Sequence, residues 1–203
     1  MNRIIVLLLL ISIFSCKKEN INEVPSYITI ESITLDENST HNITDAWVYI
    51  DDDLQGIYEL PANFPLLAQG KHKLRVKAGI KDNGIAGTRV SYPFYSSYIV
   101  EDQEFTPEVT MAITPEVSYL ESANFFIEDF EGIGMDLDTT SISDTSIIEF
   151  DTGINKYGGG ILIDSLSTFE ITTDELNNLP QAGAPVYLEL DYKCNTSFLV
   201  GIY

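Results

Sequence analysis

Residues 46–78 read AWVYIDDDLQGIYELPANFPLLAQGKHKLRVKA, and the punctuation of this stretch decides the fold. Ala46-Trp47-Val48-Tyr49-Ile50 is β-branched and aromatic, which suits a pleated, half-buried strand. Asp51-Asp52-Asp53 interrupts it as an acidic turn, and Gly56-Ile57-Tyr58-Glu59-Leu60-Pro61 resumes as a second strand. Pro65-Leu66-Leu67-Ala68-Gln69-Gly70 reads as another turn. From Lys71 to Ala78 the chain alternates: His72, Leu74, Val76 and Ala78 point one way, and Lys71, Lys73, Arg75 and Lys77 the other. A period of two with one charged side predicts a strand with one wet face. His72 is then a partly buried strand histidine with a hydrogen-bonding partner.

Working outward, Tyr27-Ile28-Thr29-Ile30-Glu31-Ser32-Ile33 is a further strand, and residues 36–42 form a polar loop that includes His41. Asp82-Asn83-Gly84 and Ala86-Gly87 mark a loop. Tyr98-Ile99-Val100 and Glu108-Val109-Thr110-Met111-Ala112-Ile113 are strands, and Thr114-Pro115 closes the domain. Residues 27–115 thus predict an immunoglobulin- or transthyretin-like β-sandwich. Residues 46–79 also resemble the PEGA domain, a small β-sandwich repeat of surface-associated prokaryotic proteins. The resemblance rests on Val48-Tyr49-Ile50-Asp51, Gly56, Pro61, Gly70-Lys71-His72, Leu74 and Val76. It departs from the family at Asp52, where a glycine is usual, and at Pro61, which falls late. The resemblance implies no catalytic residues.

Residues 116–203 form a second β domain. Asn124-Phe125-Phe126-Ile127-Glu128-Asp129-Phe130-Glu131-Gly132 resembles the opening strand of galactose-binding-like jelly rolls, a group that includes many carbohydrate-binding modules. Strands are expected over residues 146–150, 160–163, 167–171, 186–192 and 198–203, with Gly158-Gly159-Gly160 as a hairpin turn and a short helix capped by Thr173. A jelly roll has about eight strands. The shorter set here, and Gly201-Ile202-Tyr203 in mid-strand, read as an incomplete domain. The expected class is all-β, two consecutive β-sandwich domains.

Before all this stands MNRIIVLLLLISIFSC, residues 1–16. Arg3, an apolar run from Ile4 to Ile11 and small residues before Cys16 follow the grammar of a secretory signal. The run is shorter than the about 20 residues that span a bilayer. Ile13-Phe14-Ser15-Cys16 resembles the lipobox of bacterial lipoproteins, which implies cleavage before Cys16 and lipidation of its thiol. Acyl chains add about 0.8 kcal/mol per buried methylene, enough to anchor the chain to a membrane. Residues 17–26, polar and with Pro25, read as a tether. Lys17 and Lys18 in place of an aspartate imply the outer membrane by resemblance to sorting rules in some bacteria. Periplasmic face and cell surface stay open. With Cys16 lipidated, Cys194 has no disulfide partner and is expected to be buried and inert.

The chain of 203 residues has 31 acids against 11 Lys and Arg, a net charge of −20, which argues against nucleic-acid partners. Its 44% hydrophobic content provides for a packed core. The acids Glu128, Asp129, Glu131, Asp136 and Asp138 crowd the start of the second domain. Calcium, which takes six to eight oxygens, is one reading of them; a solvated acidic surface is the simpler one, and no other cofactor is implied. Trp47, Tyr92, Phe94, Tyr95 and Tyr98 form either a sugar-stacking platform or, more simply, core packing. Lys71, Lys73, Arg75, Lys77, Lys81 and Arg89 cluster within a short span. They are free to meet an acidic partner, an acidic glycan or the acidic half of the same chain. Two histidines, no Gly-x-Ser-x-Gly and no His-Glu-x-x-His leave catalysis without a sequence basis. The expected role is not enzymatic: a lipid-anchored module that binds a glycan or protein at the envelope, or else a structural or assembly lipoprotein.

Overall fold

The computed structural model describes residues 24–35, 41–153, 155–181 and 183–202, so Cys16 and the leader lie outside the described residues. The described chain is built from strands, with two single-turn 3-10 segments, Asp82–Gly84 and Ala86–Thr88. The all-β class is therefore observed. The chain divides into two units, the first ending at Ala123 and the second being Asn124–Tyr203.

The first unit runs β1 (Ser26–Ile30), β2 (Thr34–Leu35), β3 (Asp45–Ile50), β4 (Asp53–Glu59), β5 (Ala62–Leu66), β6 (Gly70–Lys81), β7 (Arg89–Ser91), β8 (Ser97–Phe105), β9 (Thr110–Ile113) and β10 (Glu116–Val117). One sheet orders β5-β1-β9, with β1 antiparallel to β5 and parallel to β9. The larger sheet orders β4-β3-β6-β7, and β8 also pairs with β6. The expected period of two is what buries the core. Ala46, Val48 and Ile50 of β3 and Leu74, Val76 and Ala78 of β6 are buried, as are Ile28 and Ile30 of β1 and Ala62, Phe64 and Leu66 of β5. Tyr58 of β4 stacks on Phe64 of β5, ring centroids 3.6 Å apart and 6° from parallel, and so joins the two sheets. Gly56 makes room for that stack, since a Cβ there would lie 2.6 Å from the Tyr58 ring.

The acidic turn forms as a two-residue hairpin loop. Asp51 and Asp52 both take positive φ, 49° and 70°, as primed hairpin turns require. Aspartate tolerates that region better than most residues because its short side chain hydrogen-bonds locally. Here Asp51 Oδ1 accepts from the Lys73 amide at 2.9 Å. Beyond the turn the pairing shifts between Val48 and Tyr49, so Gln55 bulges from β4.

Several sequence expectations change in this unit: Asp53, expected in the acidic turn, opens β4, the first strand ends at Ile30 and not Ile33, and β9 begins at Thr110 and not Glu108. Residues 65–70 were expected as a turn, but Pro65 and Leu66 belong to β5. Among the described residues this strand pairs only with β1, and an edge strand accommodates proline's missing N–H. The unit also continues past Pro115. The short β10 pairs with β2, and the Ser96 and Leu120 amides bond the Ser118 and Phe94 carbonyls. The strand from Tyr98 to Val100 is longer than expected, running from Ser97 to Phe105.

The second unit has β11 (Leu137–Thr139), β12 (Ile148–Asp151), β13 (Lys156–Gly159) and β14 (Ile171–Thr173), paired as β11-β14 and β12-β13. The strand expected at residues 160–163 lies earlier, at β13, and that expected at 167–171 lies later, at β14. Residues 124–130, 186–192 and the described part of 198–203 form no strand, and Thr173 ends a strand rather than capping a helix. Gly158 and Gly159 are inside β13, not in a turn. The glycines seat aromatic rings: Phe130 lies against Gly158, Phe150 against Gly159 and Phe169 against Gly160.

Candidate functional site

The face of the larger sheet that points away from the core is the richest in chemistry. Because Leu74, Val76 and Ala78 are buried, Lys71, Lys73, Arg75 and Lys77 stand on the opposite face of β6. Trp47 and Tyr49 share that face on β3, since Ala46, Val48 and Ile50 face inward. Register brings the two sets together: Trp47 lies across from Lys77, and Tyr49 from Arg75. On the far side of β3, Trp47 is opposite Ile57 and Tyr49 opposite Leu54. Ile99 of β8 is opposite Arg75.

The Arg75 guanidinium lies over the Tyr49 ring, 4.6 Å from its centroid, and the Lys77 ammonium lies 5.8 Å from the same centroid. Both distances are within cation–π range. The Trp47 indole lies across Gly79, where a Cβ would come within 2.6 Å of Nε1. Leu54, Ile57 and Ile99 are exposed beside these groups.

Carboxylates close both ends of the row. At the hairpin end Asp52 pairs with Lys73 at 3.3 Å and Arg75 at 3.1 Å. At the other end Glu59 pairs with Lys81 at 2.6 Å and Arg89 at 2.5 Å. The Lys81 hydrogen bond, with help from Arg89, holds the Glu59 carboxyl below its ordinary value. Arg89 Nε also lies 2.7 Å from Oδ1 of Asp45, which is fully buried and accepts from Thr44 Oγ1 at 2.7 Å. In the middle, Lys77 has no ion pair among the described residues.

His72 has the partners expected of it. Its Nδ1 lies 2.6 Å from Asp51 Oδ2 and its Nε2 lies 3.0 Å from the Gln69 carbonyl. The Asp51 hydrogen bond raises the His72 pKa, and the same bond is the first cause lowering that of Asp51. This pair fastens the hairpin turn to β6.

The expected aromatic platform is divided. Tyr92 and Tyr95 are buried, with ring centroids 4.6 Å apart, and Phe94 packs edge-on to Tyr92 at 5.4 Å. Tyr119 continues the cluster at 5.0 Å from Tyr95. Tyr98 is half-buried opposite Val76, on the inner side of the sheet. Of the five aromatics, Trp47 alone takes the outward face. Tyr49, its partner there, has no sequence signal beyond its place two residues on in the same strand.

The acidic opening of the second unit does not converge. Glu128 accepts from the amides of Phe130 and Asp136, Asp129 from the amide of Glu131 at 3.0 Å, and Glu131 from the amide of Lys156 at 2.9 Å. No group of three or more His, Cys, Asp or Glu able to hold a metal occurs among the described residues. Asp136 and Asp138 join no such group. Cys194 is exposed, not buried as expected. No helix among the described residues is long and apolar enough to cross a membrane. No protein-family model matches the chain, and no match to it is found among curated proteins or solved structures.

Proposed function

We propose that this chain is a lipid-anchored exported protein of a bacterial envelope, whose first unit acts as a binding module for a glycan or protein. Residues 1–16 support the location by their resemblance to a lipoprotein leader ending at Cys16. One observation carries the binding role. On a chain of net charge −20, Arg75 and Lys77 are gathered with Trp47 and Tyr49 on one solvent-facing sheet surface. A rigid sheet holds such groups at fixed spacing, which lowers the ordering cost of binding.

Two measurements test this. Growth with a labelled fatty acid should mark the wild type and leave Cys16→Ser unlabelled; equal labelling of both removes the anchor. A panel of purified envelope glycans and proteins should retain the full chain. Retention by none would leave a structural or assembly lipoprotein as the better reading.

A further inference from the structure

The outward face of the larger sheet has a shape that selects among ligands. Its cations stand in single file along one strand, two residues and so about 7 Å apart. Acids flank the file closely: Asp52 and Glu59 at the ends, and Glu104 directly across from Lys71 on β8. A broad acidic surface laid on this face would meet those carboxylates as well as the cations. A polymer one residue wide, laid along β6, would meet Lys77 between those paired ends.

Ring chemistry narrows the ligand further. Trp47 and Tyr49, with exposed Ile57 and Ile99 next to them, place apolar surface against the cations. Pyranose rings present apolar faces of the kind that pack on aromatic side chains. Arg75 already holds one carboxylate, that of Asp52, and a guanidinium is matched to carboxylates by its planar fork. Lys77 adds an ammonium that no acid among the described residues occupies.

We infer that the outward face of β3 and β6 binds an acidic, carboxylate-bearing polysaccharide laid along β6, with Lys77 on a carboxylate, Arg75 held beside it by Asp52, and Trp47 against a sugar ring. The inference rests on the binding-module reading and gives that module its ligand class.

The probe is polygalacturonate immobilised in a native gel, with neutral dextran, dextran sulfate and single-stranded DNA in parallel gels. The full chain should be retarded by polygalacturonate and not by dextran. Lys77→Glu should weaken that retardation about tenfold, equivalent to 1.4 kcal/mol. Trp47→Ala should weaken it severalfold, and Lys156→Ala in the second unit should leave it unchanged. Lys77→Gln, which removes the charge without reversing it, should fall between wild type and Lys77→Glu. Circular dichroism of each variant confirms that it is folded.

Dextran sulfate binding in place of polygalacturonate would overturn the carboxylate assignment. Equal retardation by DNA would reduce the face to a generic cation row and overturn the inference. So would unaltered binding by folded Lys77→Glu. Concentration-dependent self-association abolished by Lys77→Glu would show that a second copy's acids occupy the face. Retention by a neutral glycan, without polygalacturonate binding, would defeat the acidic ligand while leaving the module. Binding of nothing in this set or in the wider panel would defeat both.

Discussion

The two units use the same local vocabulary and reach different ends. Alternating β-branched and aromatic residues occur in both: YITI at 27–30 in the first, VYLELDY at 186–192 in the second. In the first unit Ile28 and Ile30 are fully buried, because β1 lies in one sheet and the inner face of β3 and β6 supplies the other. In the second, no described residue is buried, and Val186, Leu188 and Leu190 are exposed. Alternation prepares a face. Only an opposing face buries it, and burial of an aliphatic side chain is worth about 1.5–3 kcal/mol.

The sharpest way to break this contrast is to truncate one side chain in each unit. Leu74 is fully buried, and Leu74→Ala should cost about 2–5 kcal/mol through lost transfer energy and the cavity left behind. Leu188 is 65% exposed, and Leu188→Ala should change stability by no more than about 0.5 kcal/mol. Urea unfolding of the full chain, followed by signals from both units, measures each. A large loss from Leu188→Ala would show that the second unit packs a core in solution.

A smaller effect is expected at the buried charge of the first unit. Asp45 faces the same side as Trp47 yet is 0% exposed, covered from the β7 side by Arg89. Removing one partner of a buried pair costs about 3–5 kcal/mol. Arg89 is 30% exposed, so water will relieve part of this. Arg89→Ala should therefore destabilise by about 2 kcal/mol, and Arg89→Ala with Asp45→Asn by less. If the double variant is the less stable of the two, the pair is not what makes the site costly to break.

Some of this was legible in the sequence and some was not, for reasons that differ by residue. The wet face of β6 follows from strict alternation between Lys71 and Ala78, which needs no tertiary information. The acidic turn is legible because hairpin chemistry is local, although the sequence places it at residues 51–53 and Asp53 already belongs to β4. Partnership across β3 and β6 is not, because Trp47 and Lys77 are distant in sequence and meet only through sheet register. The strand β5 was hidden by Pro65, which breaks a central strand but not an edge. The division of Trp47 from Tyr92 and Tyr95 depends on which side of the sheet each reaches, and composition does not encode that. In the second unit the glycines at 158–160 signal a turn by composition alone, whereas they serve as seats for Phe130, Phe150 and Phe169.

The pair Asp51–His72 gives the first unit a pH-dependent fastening, with an effect smaller than either substitution above. Its sign follows from the two shifts. The His72 pKa lies above its ordinary 6.5, so its stabilisation is complete below that value and lost as pH rises through the raised folded pKa. The Asp51 pKa lies below its ordinary 3.8, so its stabilisation is present above that value and lost as pH falls through the lowered one. These are two views of one bond, which is strongest between the two ordinary values. His72→Gln should lower the urea midpoint at about pH 5 and hardly at all at about pH 9. An equal deficit at both would assign His72 a packing role, not an electrostatic one.

The smallest expected effect is none, and it bears directly on the contrast between the units. A calcium ion held by Glu128, Asp129, Glu131, Asp136 and Asp138 would supply the second unit with cohesion that its side chains do not. Two unpaired carboxylates brought within about 4 Å repel by roughly 4 kcal/mol at a surface-like dielectric, so a converged cluster needs a cation. Here Glu128, Asp129 and Glu131 each accept backbone amides, and among the described residues these acids form no group of three or more able to hold a metal. Calcium should therefore raise the melting temperature no more than magnesium at equal ionic strength. A site occupied at a hundredfold excess over its dissociation constant would instead add about 2.7 kcal/mol. If calcium alone stabilises the chain, and Asp129→Asn with Glu131→Gln abolishes the gain, the carboxylates gather around the ion. The second unit would then be organised by metal where the first is organised by its core.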